Sequence, residues 1–230
     1  MKILKYVIFC VVMLSLPLLI VSSNLRFTVN NIAVYQYIID HYNINQVTGI
    51  DNQELAKVYQ HWIDYYNSGA DTPQVQVSKN GHQVNLLSDK EIVHLQDVKG
   101  LMQLDYAVQL ITFLLILACG AVLIWVFRDL RLLLKGIFAG SVLTFCMGLM
   151  LAIAALCCFD QLFVLFHEIS FANAFWILDP AKDYLIMMFP GGFFSGISIA
   201  LFAAILIESA IISGLSFWGW KRTKKAGRPA

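Results

Sequence analysis

Hydrophobic residues form four long stretches along the chain, and charged residues are almost absent from them. The stretches lie at 6–25, 106–127, 136–159 and 193–220, and Glu208 is the one charged residue within them. Each has about 20 residues or more, the length that an α-helix needs to cross ~30 Å of hydrocarbon. Because backbone groups inside a bilayer must form hydrogen bonds within their own segment, the pattern predicts four membrane-spanning helices.

The segments that separate these stretches are of two kinds, short and basic or long and acidic. Ten of the sixteen lysines and arginines lie before the first stretch, in the loop 128–135 or after the last stretch. Thirteen of the fifteen acidic residues and all five histidines lie in the two long segments, 26–105 and 160–192. Since segments rich in lysine and arginine remain in the cytoplasm, this distribution predicts cytoplasmic termini and places both long segments outside.

Composition indicates the same class of protein. Hydrophobic residues make up 59% of the chain and charged residues 13%, with a mean hydropathy of +0.69. A soluble domain carries about 25% charged residues. The first stretch follows two lysines, as in a signal peptide, but residues 21–23 form a poor cleavage site, so we expect an uncleaved anchor.

The first long segment, 26–105, is polar enough to fold as a small cap. Aromatic and aliphatic residues recur at helical spacing over 32–42 and 52–66, which predicts two helices with a packed face. Asn80 and Gly81 stand between two short β-like segments, and this dipeptide favours the turn of a β-hairpin. The cap is therefore expected to contain both helices and strands.

A third helix of the cap is predicted to begin at Ser88. Serine followed three residues later by Glu91 forms a capping box, which satisfies free N–H groups at a helix start. His94 and Asp97 then share one face of this helix, where the carboxylate is expected to orient the imidazole. Gly100 is expected to break or bend the helix before the second span.

The second long segment, 160–192, has an unusual composition for a connection between helices. It is rich in Phe, Trp, Leu and Ile, whereas loops are normally polar and exposed. Trp and Tyr favour the depth of the membrane–water interface. We therefore expect an extracytoplasmic loop that lies in the interface and is partly re-entrant.

These patterns together predict an all-α membrane protein, a four-transmembrane-helix bundle with a small extracytoplasmic α+β cap. The expected divisions are a first helix at 1–25, the cap at 26–105, a second helix at 106–127, a cytoplasmic loop at 128–135, a third helix at 136–159, the interfacial loop at 160–192, a fourth helix at 193–220 and a cytoplasmic tail at 221–230.

Ionisable residues in apolar surroundings are the candidates for chemistry. His167 stands among phenylalanines near the membrane surface, where such a group indicates function, although a bond to a backbone carbonyl would also explain it. Glu208 is either a polar relay or a carboxyl that fixes helix packing, with Ser141 or Thr144 as partner. Neither a zinc-protease motif, a phosphate loop, a serine elbow nor a basic nucleic-acid stripe occurs.

Two stretches resemble the bacterial lipoprotein intramolecular transacylase family. The first is 87–99, where Glu91 and His94 precede Asp-Val-Lys. The second is 166–190, which contains Phe-His-Glu, an asparagine, Trp-Ile-Leu-Asp-Pro and Phe-Pro. The layout of four spans is also similar, so the resemblance extends over nearly the whole chain.

The resemblance implies a reaction and a set of residues. Members of the family move the sn-2 acyl chain of a diacylated lipoprotein onto the free α-amine of its own N-terminal cysteine, in the bacterial cytoplasmic membrane with the active face outside. His94 is expected to be the base for the amine, and His167 to polarise the ester or protonate its leaving oxygen, although the roles are interchangeable. The residues expected to shape the site or bind substrate are Asp97, Lys99, Asn173, Trp176, Asp179 and Asp183.

The partners expected from the resemblance are the lipoprotein N-terminus and membrane lipids. We expect a monomer without nucleic acid, cofactor or metal. Two other classes remain open at this point. His94, His167, Asp97 and Asp183 are conceivable ligands of a metal-dependent membrane hydrolase, although scattered ligands cannot be recognised by spacing. A non-enzymatic lipid sensor or assembly factor would use neither histidine.

Overall fold

A computed structural model shows four long apolar helices, and it describes residues 2–79 and 81–226. They are α1 (Lys2–Val29), α5 (Asp89–Ala121), α6 (Leu130–Ser170) and α8 (Gly191–Ala226). A π-helical turn at Val122–Val126 extends α5. All four are long and apolar enough to cross a bilayer. The chain is therefore a multi-pass membrane protein, as predicted.

Two of these helices continue well beyond the apolar runs. α5 passes through Gly100 without interruption, so the break expected there is wrong. α6 continues to Ser170 after a kink at Cys158, where φ is −150° and ψ is 47°. The first third of the segment expected to be an interfacial loop, 160–170, is therefore helical, because its apolar residues extend the helix that precedes them.

The chain divides into two compact units. The bundle unit combines the chain up to Leu25 with Asp105–Cys157 and the part from Ile199 onward. The cap unit combines Arg26–Leu104 with Cys158–Ser198. Each of the four long helices contributes residues to both units, and the functional side chains described below all belong to the cap unit.

Within the bundle unit, α1 packs through residues spaced four apart. Ile8, Val12, Leu16 and Ile20 are all buried. Gly140 of α6 lies so close to α1 that a Cβ atom there would be 2.8 Å from the carbonyl oxygen of Met13. The first apolar helix is thus an integral part of this unit.

Polar side chains also link helices in the bundle unit. Lys5 and Asp129 form an ion pair of 2.9 Å. Glu208 accepts a hydrogen bond of 2.8 Å from the side-chain amide of Asn24. Ser141 and Thr144 instead donate to carbonyls of their own helix, so the partners expected for Glu208 are wrong. Asn24 was missed because nothing local to Glu208 indicates which neighbouring helix faces it.

The cap unit contains the predicted helices and hairpin. Its elements are α2 (Ile32–Tyr42), α3 (Ile44–Thr48), α4 (Asn52–Tyr66), β1 (Gln76–Lys79), β2 (His82–Asn85) and α7 (Tyr184–Met188). The bounds of α2 and α4 agree with the hydrophobic spacing, while α3 and α7 were not predicted. Asn31 and Asp51 accept hydrogen bonds from the first turns of α2 and α4, as N-cap residues do.

The apolar stripe of α4 forms the centre of the cap core. Leu55, Val58 and Trp62 are all at most 1% exposed, which confirms that this face is packed. The hydroxyl of Tyr59, on the same helix, donates to the carbonyl of Met188 at 2.7 Å. That bond joins α4 to the end of α7.

The hairpin packs on this core through Val77, which is 1% exposed. The strands are antiparallel, with Lys79 paired to His82, so a two-residue turn joins them. Gly81 has a φ of +79°, which glycine adopts without strain. Asn80, the other residue of the predicted turn, lies outside the described residues.

Candidate active site

The start of α5 is fixed by a buried carboxylate. Glu91 is 1% exposed, and its Oε2 accepts hydrogen bonds from the backbone N–H and the hydroxyl of Ser88, at 2.7 and 2.6 Å. Its Oε1 accepts from the backbone N–H of Leu185 at 2.7 Å. The carboxylate half of the predicted capping box is therefore present, and the same side chain also caps α7. One residue thereby holds the two helix starts together.

His94 lies one turn further along α5, on the same face as Glu91. It is 8% exposed, and His167 at the end of α6 is 7% exposed. The centroids of the two imidazole rings are 6.0 Å apart. The structure thus brings together the two histidines for which the sequence predicted a role, although they are distant in the chain.

Hydrogen bonding distinguishes the two imidazoles. Nδ1 of His167 lies 2.7 Å from the carbonyl oxygen of Phe163, one turn earlier in α6. Because a carbonyl only accepts, Nδ1 carries the proton, and Nε2 of neutral His167 is an acceptor. Nδ1 of His94 is buried without a hydrogen-bond partner among residues 2–79 and 81–226.

Aromatic rings surround the pair on several sides. Around His167, the ring of Phe163 lies at 4.2 Å, that of Trp176 at 4.8 Å and that of Phe166 at 5.3 Å between centroids. Phe171 packs edge-on against His94 at 5.0 Å. These rings exclude water from the imidazoles and leave them in an apolar environment.

This environment favours the neutral imidazoles. Both histidines lie outside the apolar runs 106–127 and 136–159. Burial, together with the adjacent His167, lowers the pKa of His94 to about 4, although Asp97 opposes the shift. Burial also lowers the pKa of His167, against the effect of the Phe163 carbonyl. At neutral pH both rings are therefore able to accept a proton.

The Asp97 carboxylate is hydrogen-bonded to the segment that follows α6. Its Oδ2 accepts a hydrogen bond of 2.8 Å from the side-chain amide of Asn173. Asn173 in turn accepts from the backbone N–H of Phe175 at 3.0 Å. This hydrogen bond joins Asp97 to the segment that follows α6, and the expectation that Asp97 orients His94 stays a prediction.

The remaining acidic candidates lie beside α7. Asp183 is 8% exposed in its side chain, pairs with Lys90 at 2.7 Å and accepts from the backbone N–H of Asp179 at 2.6 Å. The Asp179 carboxylate pairs with Lys182 at 3.4 Å. Lys90 was missed by sequence reasoning, because an ordinary exposed lysine in a first helical turn has the same local appearance.

Lys99 is buried and fully engaged within the cap unit. Its Nζ donates to the carbonyl of Ala70 at 2.6 Å and lies 4.1 Å from the ring centre of Tyr65. This lysine therefore holds the connection between α4 and β1 against α5. Among the described residues, no group of three or more His, Cys, Asp or Glu side chains is arranged to hold a metal ion.

Four apolar helices long enough to cross a bilayer define an integral membrane protein, and its cap unit contains a buried pair of imidazoles. The family model described as lipoprotein intramolecular transacylase Lit matches residues 10–194 of the chain. The protein therefore belongs to the lipoprotein intramolecular transacylase family and is an acyltransferase. No curated protein matches the chain.

Solved structures of similar proteins agree with this assignment. The in meso structure of the membrane-integral lipoprotein intramolecular transacylase Lit from Bacillus cereus is 25% identical, with a TM-score of 0.83 over 99% of this chain and 100% of that chain. A variant of that protein with one histidine replaced by alanine is 26% identical, with a TM-score of 0.75 over 97% of each chain.

Proposed function

We propose that this protein moves the sn-2 acyl chain of a diacylglyceryl-cysteine lipoprotein onto that lipoprotein's own α-amino group. The product is a lyso-form lipoprotein, N-acylated and S-monoacylglyceryl. The observation that carries the proposal is the pair of buried imidazoles, 6.0 Å apart between ring centroids, in a chain of this family. Neutral imidazoles suit a reaction whose central requirement is the movement of one proton.

The reaction balances without a co-reactant. The amine nitrogen attacks the ester carbonyl carbon, the amide C–N bond forms, and the ester C–O bond breaks. The proton lost by the amine passes to the departing glyceryl oxygen. Nucleophile and acyl donor belong to one molecule, so a site that positions them makes the step effectively unimolecular, and no enzyme nucleophile is needed.

The hydrogen bond of His167 supports an assignment of roles. Since its proton is on Nδ1, its Nε2 is the nitrogen that accepts the amine proton. His94 then polarises the ester carbonyl, and the proton accepted by His167 passes to the leaving oxygen directly or by way of the His94 imidazole. This proposal reverses the roles first expected from the sequence, and the bond to Phe163 supports it.

The same proposal includes an orientation in the membrane. Both termini are cytoplasmic and the histidine pair faces the extracytoplasmic side, with spans at 1–25, 106–127, 136–159 and 193–220. The excess of lysine and arginine in the short segments supports it. Because both histidines come from one chain, a monomer suffices for the reaction.

Separate substitutions of the two histidines test the function. In strains that carry His94→Ala or His167→Ala, we expect lyso-form lipoprotein to fall by about 10²-fold or more, since each variant loses proton transfer. Lipoprotein N-termini are read by mass spectrometry at equal expression. His82→Ala, which alters an exposed histidine of the hairpin, is the matched control. Unchanged lyso product in either site variant would overturn the proposal.

A further inference from the structure

The segment between α6 and α7, residues 171–183, crosses the face of α5 that carries His94, and we refer to it as the strap. It begins with Phe171, which packs on His94, and it presents the Trp176 ring to His167 at 4.8 Å. Because it contains no regular secondary structure, side chains must fix its position.

Two side-chain contacts from α5 hold the strap, one near each end. Near its start, Asn173 donates to Asp97 at 2.8 Å. At its end, Asp183 pairs with Lys90 at 2.7 Å. Lys90 also approaches the carbonyl of Ile177 at 3.4 Å, next to Trp176. The helix that positions His94 therefore also determines where Trp176 lies.

The Asp97–Asn173 contact is the one closest in sequence to both functional groups. Asp97 follows His94 by three residues, and Asn173 precedes Trp176 by three. The other polar atom of the Asn173 side chain, Oδ1, accepts a hydrogen bond from the backbone N–H of Phe175 and closes a local turn. Hence the side chain of Asn173 shapes the strap from within and attaches it to α5 at the same time.

We propose that Asp97 and Asn173 are a positioning pair for the acyl transfer, whose hydrogen bond holds the strap so that Trp176 covers His167. The inference rests on the proposed function. Its alternative is that Asp97 acts through its negative charge on His94. In the first role, activity depends on the hydrogen bond between residues 97 and 173. In the second, it depends on the negative charge at position 97.

Three variants separate these roles. Asn173→Asp keeps the acceptor that closes the turn with Phe175 but places two carboxylates against each other, so it breaks the bond to α5. Asp97→Asn removes the charge but leaves an amide oxygen that accepts from Asn173. The double swap, Asp97→Asn with Asn173→Asp, restores the hydrogen bond with donor and acceptor exchanged. Asn173→Ala serves where Asn173→Asp does not fold.

Two readouts are taken from the full-length protein in detergent. Hydrogen–deuterium exchange over 171–183 reports whether the strap is held, independently of activity. The kcat and KM of lyso-form production report its consequence. We expect Asn173→Asp to raise exchange in the strap and lower kcat by about 10²-fold, the effect of a small misplacement in a site. Asp97→Asn and the double swap should keep hydrogen–deuterium exchange in the strap near that of the wild type and should lose much less kcat than Asn173→Asp.

Several results would overturn the inference. If Asp97→Asn loses as much activity as Asn173→Asp, the charge of Asp97 matters and not its bond. If Asn173→Asp loosens the strap without lowering kcat, the strap does not position the reacting groups. If the wild-type protein makes no lyso-form lipoprotein, the proposed function fails, and the exchange data still show whether the bond holds the strap.

Discussion

At the scale of single residues, one backbone carbonyl determines which nitrogen of His167 carries the proton and which is free to accept one. Phe163 accepts the Nδ1 proton at 2.7 Å, and this leaves Nε2 as acceptor. For Nδ1 of His94 no such bond exists in the described part of the chain, and the rings of Phe171 and His167 lie beside this imidazole. The two imidazoles thus have the same chemistry but different constraints on their protons.

The lowered pKa of His94, about 4, leads to a prediction about the charge of this imidazole in mild acid. We expect its imidazole to remain neutral at pH 5, where an ordinary histidine, with a pKa near 6.5, is protonated. The ¹⁵N shifts of labelled His94 in the folded protein measure this directly. A chemical shift of protonated imidazole at pH 5 would contradict the prediction.

The same shift links stability to pH with a definite sign. Between about pH 6.5 and pH 4 the unfolded chain binds a proton at His94 that the folded chain does not, so this group makes the protein less stable as pH falls through that window. His94→Gln removes the effect. Thermal unfolding measured at pH 7 and pH 5 should therefore show that His94→Gln loses less stability at the lower pH than the wild type does.

At the scale of elements, a close approach of helices organises the bundle unit. Gly140 allows α6 to come within van der Waals distance of the backbone of α1, as small residues do in membrane helix pairs. The apolar residues of α1 spaced four apart from Ile8 to Ile20 are buried along this face. A larger residue at 140 must push the helices apart.

Substitution of two glycines tests this contact. Gly140→Ala places a Cβ atom 2.8 Å from the Met13 carbonyl oxygen, so we expect a loss of about 1–3 kcal/mol in the free energy of unfolding. Gly214→Ala in α8 meets no atom within 4 Å and should leave stability equal or slightly raised. Detergent-induced unfolding compares them. Equal stability of both variants would show that α1 and α6 do not pack closely at this point.

At the scale of the whole molecule, the even number of spans and the distribution of charge determine how the proposed site meets its substrate. The proposed function needs the histidine pair on the extracytoplasmic side, and it therefore requires 26–105 and 160–192 to face outward. Four spans then return the C-terminus to the side of the N-terminus.

Cysteine labelling tests this orientation. A membrane-impermeant maleimide added to intact cells should label a cysteine introduced at Gln36, an exposed residue of α2, and should not label one introduced at Arg222 near the C-terminus. Both variants are made in a chain whose five natural cysteines are replaced by alanine or serine. Labelling of the cysteine at position 222 in intact cells would contradict the proposed topology.

Local sequence patterns predicted much of the fold. The helices 32–42 and 52–66 were predicted to the residue, because their buried faces repeat with helical spacing and each begins at a side chain that caps it. The full lengths of α5 and α6 were not predicted, because Gly100 and the polar groups after Cys158 are typical of helix ends. Tertiary contacts and continued apolar spacing override those local signals.

The sequence by itself determined four membrane spans, their charge asymmetry and the candidacy of His94 and His167. The spans, the charge asymmetry and the apolar surroundings of His167 depend on neighbouring residues, so composition and spacing reveal them, whereas His94 became a candidate through the family resemblance. Only the tertiary structure decided that the two imidazoles lie 6.0 Å apart, that Asp97 bonds to Asn173, and that Asn24 bonds to Glu208. Such pairs join distant segments, and the packing of whole helices decides which side chains meet.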